Sequence, residues 1–542
     1  MTAPLPRRPH RPAPAVRAVL AVTVLVLALV LAVTGRADDT KDPWVHLVVV
    51  HTNDVHGNLL PHSPALAMVE ADGPVGGFAA LASFVGAERD AAAKSGAHVL
   101  LLDGGDVWRG TPEGDLTRGD LVVEAFSRLR YDAVAVGNHE FDLGVENAAR
   151  LVRAATFPWL SANITEKATG ARPTWLRASV VLDVDGVRVG IVGMTPPDTA
   201  KLVMGGDRLP LAFGDEVAAA RAEVKALEGR ADVIVFLTHL GPERDRRILD
   251  ALPSVPLVVG GHSHTRLSKP IPSGPDGHAW VVQAGTACVV VGRVLMRVHR
   301  VTHEVVLEEA GLTPLVVAKV GSDPETAKFL EERMGSDPVL KALGETIATL
   351  GADLPREGAT PEVSSPAGNA FTDAMRAAAG DVGGKAADVA LANRGGIRVR
   401  LPKGPVTGRD LHLLMPFDNT LVEVPMSGAE LKAVIESSLR PATRISPLEV
   451  SGLAARWKRR GEGATTAIEF TAFEVGGRPL DEARTYRVIV NSFLADGGDG
   501  YAGLAHRPGS HDLGILVRDA LKRLFAATPV FMPDTTERLR PD

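Results

Sequence analysis

The sequence predicts a two-domain α/β protein that follows an N-terminal targeting segment. The chain has 542 residues, and at about 100–200 residues per domain this length allows at least two domains. Short apolar runs of strand length alternate with stretches of helix length in both halves, which is the pattern of layered α/β domains. Hydrophobic residues make up 45% and charged residues 23% of the chain, proportions typical of globular proteins rather than disordered ones.

Composition excludes several classes of partner and cofactor. The net charge is −6, so a nucleic-acid polymer is not an expected partner. Cys288 is the single cysteine, which excludes an intramolecular disulfide, cysteine zinc sites and iron–sulfur clusters. Any metal must therefore be held by His, Asp, Glu, Asn or water.

Residues 1–37 have the pattern of a Sec-type export signal, with a basic region at 7–17 followed by an apolar run at 18–33. Gly35 and Ala37 supply the small residues that precede a cleavage site. The apolar run is about sixteen residues long, which is short for a membrane span yet long enough for an uncleaved anchor, so both alternatives stay open. Either way we expect a periplasmic, extracellular or outer-face location, with membrane contact only through this segment.

The first predicted domain covers residues 44–320. Five of its apolar runs predict buried strands: Val45–Val50, Val99–Asp103, Ala133–Val136, Val189–Val192 and Val233–Leu237. The stretches 79–95 and 215–228 predict helices with apolar faces between those strands. This alternation indicates an α/β layered domain whose ligands lie where the strands end.

A helical linker at 321–350 and a smaller α/β domain at 351–530 complete the predicted organisation. The linker rests on the helical stretch Pro324–Leu350. The second domain combines a helix at 369–380 with strand-like runs at 388–391, 421–424 and 486–490. The tail beyond Phe531 is expected to be loosely held.

Five short polar motifs each follow an apolar run in the first domain: Asp54-Val-His56, Gly105-Asp106, Gly137-Asn138-His139-Glu140, Thr238-His239 and Gly261-His262-Ser-His264. Each motif alone has an ordinary interpretation, as a turn, a capping residue or a buried core histidine. Their joint occurrence after separate strands favours a metal centre instead. In an extended segment, residues two apart point to the same side, so Asp54 with His56, and His262 with His264, could each face one ion.

The donor types suit Mn²⁺, Zn²⁺, Fe or Co rather than Ca²⁺. Two ions each need about four to six donors, and a shared carboxylate can bridge them. Two such cations lower the pKa of bound water and screen the charge on a phosphate. The sequence thus predicts hydrolysis by a metal-activated water, with no protein nucleophile.

The order of these motifs resembles the calcineurin-like metallophosphoesterases. The flanking stretches "HTNDVHGNL" (51–59), "LLDGGDVWRGTP" (101–112) and "GNHEFDLG" (137–144) are similar to the 5′-nucleotidase and UDP-sugar hydrolase family within that superfamily. The resemblance implies a four-layer α/β/β/α fold for the first domain. It further implies one ion held by Asp54, His56, Asp106 and His264, and a second held by Asp106, Asn138, His239 and His262. Asp106 would bridge them, and His264 stands where many relatives carry Gln or Asn.

The resemblance also assigns the catalytic pair. His139 would stabilise the transition state or protonate the leaving group. Asp142 would orient His139 through a hydrogen bond, while its alternative interpretation is a helix N-cap.

Three motifs in the second half resemble the 5′-nucleotidase C-terminal domain: Asn393–Arg398, Met415–Asn419 and Asn491–Tyr501. By that resemblance Phe417 and Phe493 would sandwich a nucleobase with Asn393 nearby, Asp499 would accept ribose hydroxyl bonds, and Arg398 would hold phosphate or ribose. The alternatives are an ordinary basic turn for the first motif and core packing for either phenylalanine.

Two departures from the family pattern concern arginines. Arg394 stands where relatives carry Gly. No arginine occurs between Glu357 and Asn369, where relatives place one, and Arg356 lies too early for a simple alignment.

The resulting functional hypothesis is an exported dimetal phosphohydrolase. It would release phosphate from nucleoside 5′-monophosphates, with UDP-sugars as a further substrate class. The alternatives are a 2′,3′-cyclic nucleotide phosphodiesterase or another phosphoester hydrolase of the same superfamily, and, from another class, a surface binding module without turnover. The sequence gives no indication of oligomeric state.

Overall fold

The computed structural model describes residues 42–64, 69–203, 206–360, 362–381, 386–440, 447–461 and 467–542. The predicted signal or anchor at 1–37 lies outside these residues. Within the described residues, no helix combines the length and apolar character needed to cross a membrane.

In the part of the chain that the structure describes, the first half contains fourteen strands and ten α-helices. The strands are β1 Trp44–Thr52, β2 His98–Asp103, β3 Ala133–Ala135, β4 Trp159–Leu160, β5 Ile164–Glu166, β6 Ser179–Val184, β7 Val187–Met194, β8 Leu211–Phe213, β9 Val233–Thr238, β10 Leu257–Val259, β11 Ile271–Ser273, β12 Ala279–Val282, β13 Val290–His299 and β14 Val305–Pro314. The helices are α1 Phe78–Ser95, α2 Pro112–Asp115, α3 Asp120–Leu129, α4 Gly144–Ala154, α5 Thr199–Leu202, α6 Glu216–Ala226, α7 Pro242–Ala251, α8 Val317–Val320, α9 Pro324–Gly335 and α10 Pro338–Ala342.

The second half adds eleven strands and five α-helices in its described residues. The strands are β15 Thr346–Leu350, β16 Val389–Asn393, β17 Gly404–Thr407, β18 Thr420–Ser427, β19 Leu448–Ser451, β20 Leu453–Arg460, β21 Ala467–Val475, β22 Arg478–Pro479, β23 Thr485–Asn491, β24 His511–Leu516 and β25 Leu539–Pro541. The helices are α11 Pro366–Asp381, α12 Gly408–Leu414, α13 Gly428–Ser438, α14 Ser492–Ala495 and α15 Val517–Ala526.

Two six-stranded sheets pack face to face in the first half, in the orders β14-β13-β1-β2-β3-β4 and β11-β12-β10-β9-β7-β6. The alternation of side chains along β1 explains this packing. Leu47 and Val49 point into the core between the sheets, whereas Val48 and Val50 face the opposite side, where they join the core that contains Phe78 of α1. Helix α7 covers the outer face of the second sheet through Ile248. The predicted four-layer α/β/β/α arrangement is confirmed.

The second half is built on a five-stranded mixed sheet in the order β19-β16-β23-β18-β24. Its first face packs against α11 and α15, for example through Phe371 and Phe525. Its second face packs against α13 and the strand β20, for example through Ile435 and Trp457. This architecture confirms a second α/β unit after the first.

Two segments differ from the sequence-based expectation. The helical prediction for Pro324–Leu350 holds to Ala342, but residues 346–350 form β15, which pairs antiparallel with β17; the β-branched Thr346, Ile347 and Thr349 favour a strand once a partner edge is present. The tail is also more ordered than predicted, because β25 pairs in parallel with β20.

Candidate active site

The predicted ligands follow strands of both sheets and meet at one edge. Loops after β1, β2 and β3 come from the first sheet, and loops after β9 and β10 come from the second. They bring together two groups whose possible ligand atoms lie within 4.8 Å of one another: Asp54, His56 and His264 in the first group, and Asp106, His239 and His262 in the second. The structure thus brings six of the seven predicted ligands together.

The backbone that presents these side chains is not extended, so that part of the prediction is wrong. Five of the residues have positive φ values: Asp54 (49°), His56 (50°), Asp106 (56°), His262 (79°) and His264 (55°). The left-handed region is uncommon for residues other than glycine and is typical of strained functional sites. Asp54 and His56 nevertheless converge, since His56 Nε2 lies 3.9 Å from Asp54 Oδ1.

In the first group, His56 and His264 face the Asp54 carboxylate. His264 Nε2 lies 3.3 Å from Asp54 Oδ1, and the two imidazole Nε2 atoms are 3.1 Å apart. His56 Nδ1 lies 2.7 Å from the carbonyl oxygen of Arg109. Because a carbonyl only accepts hydrogen bonds, Nδ1 carries the proton and the Nε2 lone pair faces the centre.

In the second group, Asp106 reaches residues of both groups. Its Oδ2 lies 2.9 Å from His239 Nε2 and 4.0 Å from His56 Nε2. Its Oδ1 accepts a hydrogen bond from the His139 backbone N–H at 2.8 Å. His239 Nδ1 donates to the Gly104 carbonyl at 2.7 Å, so its Nε2 is directed at the carboxylates.

Three buried polar atoms at the centre fit bound cations. Asn138 Oδ1 has no hydrogen-bond partner among the described residues, and the near neighbours of Asp54 Oδ1 and His239 Nε2 are atoms of other predicted ligands, at 3.3 Å from His264 and 2.9 Å from Asp106. A buried polar atom without a partner is costly and therefore rare. Carboxylate, amide and imidazole donors without thiolate are the set expected for first-row divalent ions. The residues present therefore fit two metal ions.

The electrostatics of three ligands agree with this fit, whereas for His239 the carboxylates of Asp106 and Asp54 outweigh burial and raise the pKa to about 10. Burial, and then the neighbouring His264, lower the pKa of His56 to about 3, and burial together with His239 lowers the pKa of His262 to about 4. Both imidazoles are thus neutral at pH 7, as metal ligation requires. Burial would raise the pKa of Asp54, but His239 and His264 lower it to about 2, which keeps this carboxylate ionised.

His139 and Asp142 form the predicted pair. His139 Nδ1 lies 2.8 Å from Asp142 Oδ2. Burial works against protonation of His139, but the carboxylates of Asp142 and Asp106 raise its pKa to about 9. The imidazole is therefore suited to stabilise negative charge or to donate a proton. Arg109 Nε lies 3.5 Å from the same oxygen of Asp142.

Glu140 is a site residue that sequence reasoning left without a role. Its carboxylate accepts hydrogen bonds from the backbone N–H groups of Asp106 (3.1 Å), Val107 (3.0 Å) and Gly137 (2.7 Å), so it ties the loop after β2 to the loop after β3. A Cβ on Gly137 would lie 2.2 Å from Asp106 Oδ1, which explains the glycine. The signal was present as the last residue of the Gly137–Glu140 motif.

A cavity of about 440 Å³, here called the central cleft, joins the two halves. Asp106, Asn138, His139, His262 and His264 line it from the first half. The five predicted second-half residues line it as well: Asn393, Arg398, Phe417, Phe493 and Asp499. Both sets therefore face one space.

The second-half loops are held by their own hydrogen bonds. Asn393 Nδ2 donates to Asp499 Oδ2 at 2.8 Å, and Asn491 Nδ2 donates to Asn393 Oδ1 at 2.9 Å. A Cβ on Gly498 would lie 2.4 Å from the Phe493 ring, so the backbone of this loop packs directly against that ring. These contacts fix the shape of the cleft wall before any ligand binds.

Arg394, which replaces the family's glycine, has a structural explanation. Its Nε donates to Glu449 Oε1 at 2.7 Å, and its Nη2 donates to the carbonyl of Val363 at 2.7 Å. Glu449 is fully buried, so the arginine supplies the charge that this carboxylate needs. Its guanidinium is directed away from the cleft residues.

Comparison with known proteins agrees with this arrangement. A family model for calcineurin-like phosphoesterases matches residues 47–266, and one for the 5′-nucleotidase C-terminal domain matches residues 345–506. A 5′-nucleotidase from Bos taurus is 30% identical over 91% of this chain and 89% of its own length. The chain belongs to the 5′-nucleotidase family.

Solved structures give the same result. A 5′-nucleotidase precursor from Thermus thermophilus is 31% identical, with 92% of this chain and 99% of that chain covered and a TM-score of 0.80. The sulfate thiohydrolase SoxB of Thermus thermophilus superposes over 92% of this chain and 97% of its own chain with a TM-score of 0.74, but at 19% identity it shows the fold alone. The protein is a metal-dependent nucleotide phosphohydrolase, and its family together with the two candidate ligand groups indicates a dimetal centre.

Proposed function

We propose that the protein releases phosphate from nucleoside 5′-monophosphates outside the cytoplasmic membrane and cleaves UDP-sugars as a second substrate class. The observation that carries the proposal is the central cleft, since one cavity is lined by both the ligand groups and the second-half aromatic residues. A phosphate at the metal centre and a base between Phe417 and Phe493 would occupy opposite ends of that cavity. The catalytic domain comprises residues 44–320, and the substrate domain comprises 351–530 together with β15.

The ligand assignment follows the resemblance and is supported by the geometry. Asp54, His56, Asp106 and His264 would hold one ion, whereas Asp106, Asn138, His239 and His262 would hold the other. By the resemblance Asp106 would be shared by both ions, and its Oδ2 lies within 4.0 Å of histidines of both groups. Mn, Zn, Co or Fe are the candidates, since these ions accept mixed oxygen and imidazole ligands.

When bound, two such ions supply an activated water and neutralise charge on the phosphate. The protein's own residues stabilise charge, hold a proton and bind the substrate. His139 stabilises the developing negative charge and holds a proton for the leaving oxygen, while Asp142 keeps its ring oriented. Arg398 lines the cleft, and its guanidinium binds a phosphate or ribose oxygen.

In the second domain, Phe417 and Phe493 stack on the base. Stacking of an aromatic side chain on a base contributes about 1–3 kcal/mol per base to binding. Asp499 accepts hydrogen bonds from the ribose hydroxyls, and Asn393 lies beside it at 2.8 Å. Both phenylalanines are half-buried, which leaves ring surface for a ligand.

Export is supported by the basic and apolar pattern of residues 1–37. Cleavage after Ala37 would release a soluble enzyme, and retention of the segment would anchor it. Fractionation of cells that express the full chain, combined with N-terminal sequencing, distinguishes these outcomes from each other and from a cytoplasmic protein.

The direct test of function is phosphate release from a substrate panel by the chain without residues 1–37. AMP, UMP, UDP-glucose, 2′,3′-cyclic AMP and bis-p-nitrophenyl phosphate are compared with added Mn²⁺ or Co²⁺. Metal-dependent release from AMP or UMP is expected. Activity confined to the cyclic or diester substrates would overturn the nucleotidase assignment and indicate a phosphodiesterase, and inactivity on the whole panel would indicate a binding module.

A further inference from the structure

Arg109 is a buried arginine beside the metal centre that sequence reasoning left without a role. It lies in the loop between β2 and α2, and its side chain is only 10% exposed. Its backbone carbonyl accepts the hydrogen bond from His56, whereas its guanidinium has a different set of neighbours. The Nε atom is buried and has no hydrogen-bond partner among the described residues. A buried cation of this kind is costly unless carboxylates compensate its charge.

Three carboxylates surround the Arg109 guanidinium. Asp115 Oδ1 lies 3.3 Å from Nη1, Asp142 Oδ2 lies 3.5 Å from Nε, and Asp418 Oδ2 lies 3.9 Å from Nη2. The Asp418 side chain is 59% exposed, so its contact is the weakest of the three. Each nitrogen of the guanidinium therefore faces a different carboxylate.

Two of these carboxylates connect Arg109 to the second half of the chain. Asp115 accepts a hydrogen bond from His412 Nε2 at 2.6 Å through its other oxygen, Oδ2. Asp418 itself belongs to the second half, where Arg518 Nη2 donates to its Oδ1 at 2.6 Å. Since Arg109 belongs to the first half, the position of its guanidinium depends on contact between the halves.

The third carboxylate belongs to the catalytic pair. Asp142 Oδ2, which lies 3.5 Å from Arg109 Nε, is also the oxygen that lies 2.8 Å from His139 Nδ1. One oxygen atom thus lies between the imidazole and the guanidinium. A group that holds this oxygen in place also fixes the orientation and tautomer of the His139 ring. The 3.5 Å separation is long for a hydrogen bond, and contacts of catalytic groups often shorten once substrate is bound.

We propose that Arg109 is a positioning residue for the catalytic pair, and that its contacts with the second half make the orientation of His139 depend on docking of that half. The proposal rests on the proposed function and extends it. Arg109 acts through Asp142 and needs no contact with the substrate. With the halves docked, Asp115 and Asp418 hold the guanidinium against Asp142. When the halves separate, the Asp418 contact is lost and the guanidinium can turn away from the pair.

The test compares kcat and KM for AMP in Arg109→Gln, Asp142→Asn and the double variant. In Arg109→Gln, kcat should fall by about ten- to a hundredfold, the cost typical of removing an outer partner of a functional side chain. KM should change by less than about twofold, since no substrate contact is removed. Because Arg109 acts through Asp142, the double variant should keep the kcat of Asp142→Asn alone.

Two results would contradict the proposal. If the losses in kcat multiply in the double variant, Arg109 does not act through Asp142. If Arg109→Gln raises KM and this rise persists in the Asp142→Asn background, Arg109 binds the substrate directly instead of positioning the catalytic pair.

The controls separate positioning from damage to the fold. Arg109→Lys keeps the positive charge but lacks the Nε–H, so it should recover part of the lost rate. Arg246→Gln, at an exposed arginine of α7, is the matched control and should leave kcat and KM unchanged. Melting temperature and metal content show whether each variant is folded and loaded. If Arg109→Gln does not fold, Arg109→Lys replaces it in the comparison with Asp142→Asn.

His412→Ala tests the link to the second half. It removes the support of Asp115, so it should lower kcat modestly where Arg109 is present and no further where Arg109 is already replaced by Gln. An equal proportional loss in both backgrounds would show that docking does not reach the catalytic pair through Arg109.

Failure of the proposed function gives a different result. If the unmodified protein hydrolyses bis-p-nitrophenyl phosphate but not AMP, the nucleotidase assignment fails. The same double-variant comparison, made on the diester, then still decides whether Arg109 acts through Asp142.

Discussion

His412 Nε2 donates a hydrogen bond to Asp115 Oδ2 at 2.6 Å, and both side chains are buried where the two halves meet. Asp115 Oδ1 accepts the Gly110 N–H at 3.0 Å. Beside this contact, Arg409 Nε donates to Glu113 at 2.8 Å. Since α12 carries His412 and leads toward Phe417, these bonds connect the loop that follows Asp106 to the aromatic wall of the central cleft.

His412→Ala should weaken the closed arrangement of the two halves. A buried hydrogen bond to a charged group contributes about 1.5–3 kcal/mol, so we expect KM for AMP to rise about three- to tenfold with a smaller change in kcat. Small-angle scattering should show a larger radius of gyration. The exposed His511→Ala is the control. An unchanged KM and scattering profile would mean that this contact does not hold the halves together.

His139→Ala should lower kcat for AMP by about 10²–10⁴, the usual contribution of a positioned acid or base. Asp142→Asn should lower it less, since His139 remains but loses the carboxylate that orients and charges it. Metal content, measured by elemental analysis, should equal that of the unmodified protein in both variants. If either variant loses metal, the substituted residue contributes to metal binding rather than to proton transfer.

Phe417→Ala and Phe493→Ala should each raise KM for AMP about tenfold, given stacking energies of about 1–3 kcal/mol. Hydrolysis of p-nitrophenyl phosphate, which has no nucleobase or ribose, should change little. The comparison of the two substrates separates base recognition from damage to the metal centre. Equal losses on both substrates would place these rings in the core of the fold instead.

We expect the burial of His62 to make the free energy of unfolding decrease in mild acid. Burial and the neighbouring Arg409 lower its folded pKa from 6.5 to about 4. Because the unfolded chain then binds the additional proton, stability is fully present above about pH 6.5 and is lost as pH falls toward 4, by up to about 3 kcal/mol. In urea unfolding, His62→Asn should show a correspondingly smaller loss between pH 7 and 4.

His278→Asn, at an exposed histidine, is the control for that measurement. It should leave the pH dependence of unfolding close to that of the unmodified protein. If His62→Asn and the unmodified protein lose the same free energy over this range, then His62 is not the group responsible.

Much of the fold could be predicted from the sequence because apolar runs and ligand motifs are local signals. The run before Asp54 marks a buried strand, and the polar residue after it marks the strand's carboxyl end. Joint occurrence of such signals after five strands was sufficient to place the two ligand groups together. The strand at 346–350 was missed since its partner, β17, lies more than fifty residues later in the chain.

The remaining features of the site depend on contacts that spacing does not encode. The left-handed backbone at Asp54 and His56 lies in the loop between β1 and α1, and although Asp and His are enriched in that conformation, their presence alone does not predict it. Arg356 precedes the position expected from the family pattern, and only the structure shows that its Nη1 donates to the carbonyl of Arg398 at 2.8 Å. Glu140 was visible in its motif, but its hydrogen bonds run to backbone groups of a distant loop.

The central claim is that two ions at these strand ends drive hydrolysis of a nucleotide held in the cleft. The most direct test is phosphate release from AMP by protein stripped with EDTA, as Mn²⁺ or Co²⁺ is added back in measured amounts. The rate should be negligible without metal, should saturate at about two ions per chain, and should not be restored in Asp106→Ala. Full activity in EDTA, saturation at a single ion, or an active Asp106→Ala would contradict the two-metal mechanism.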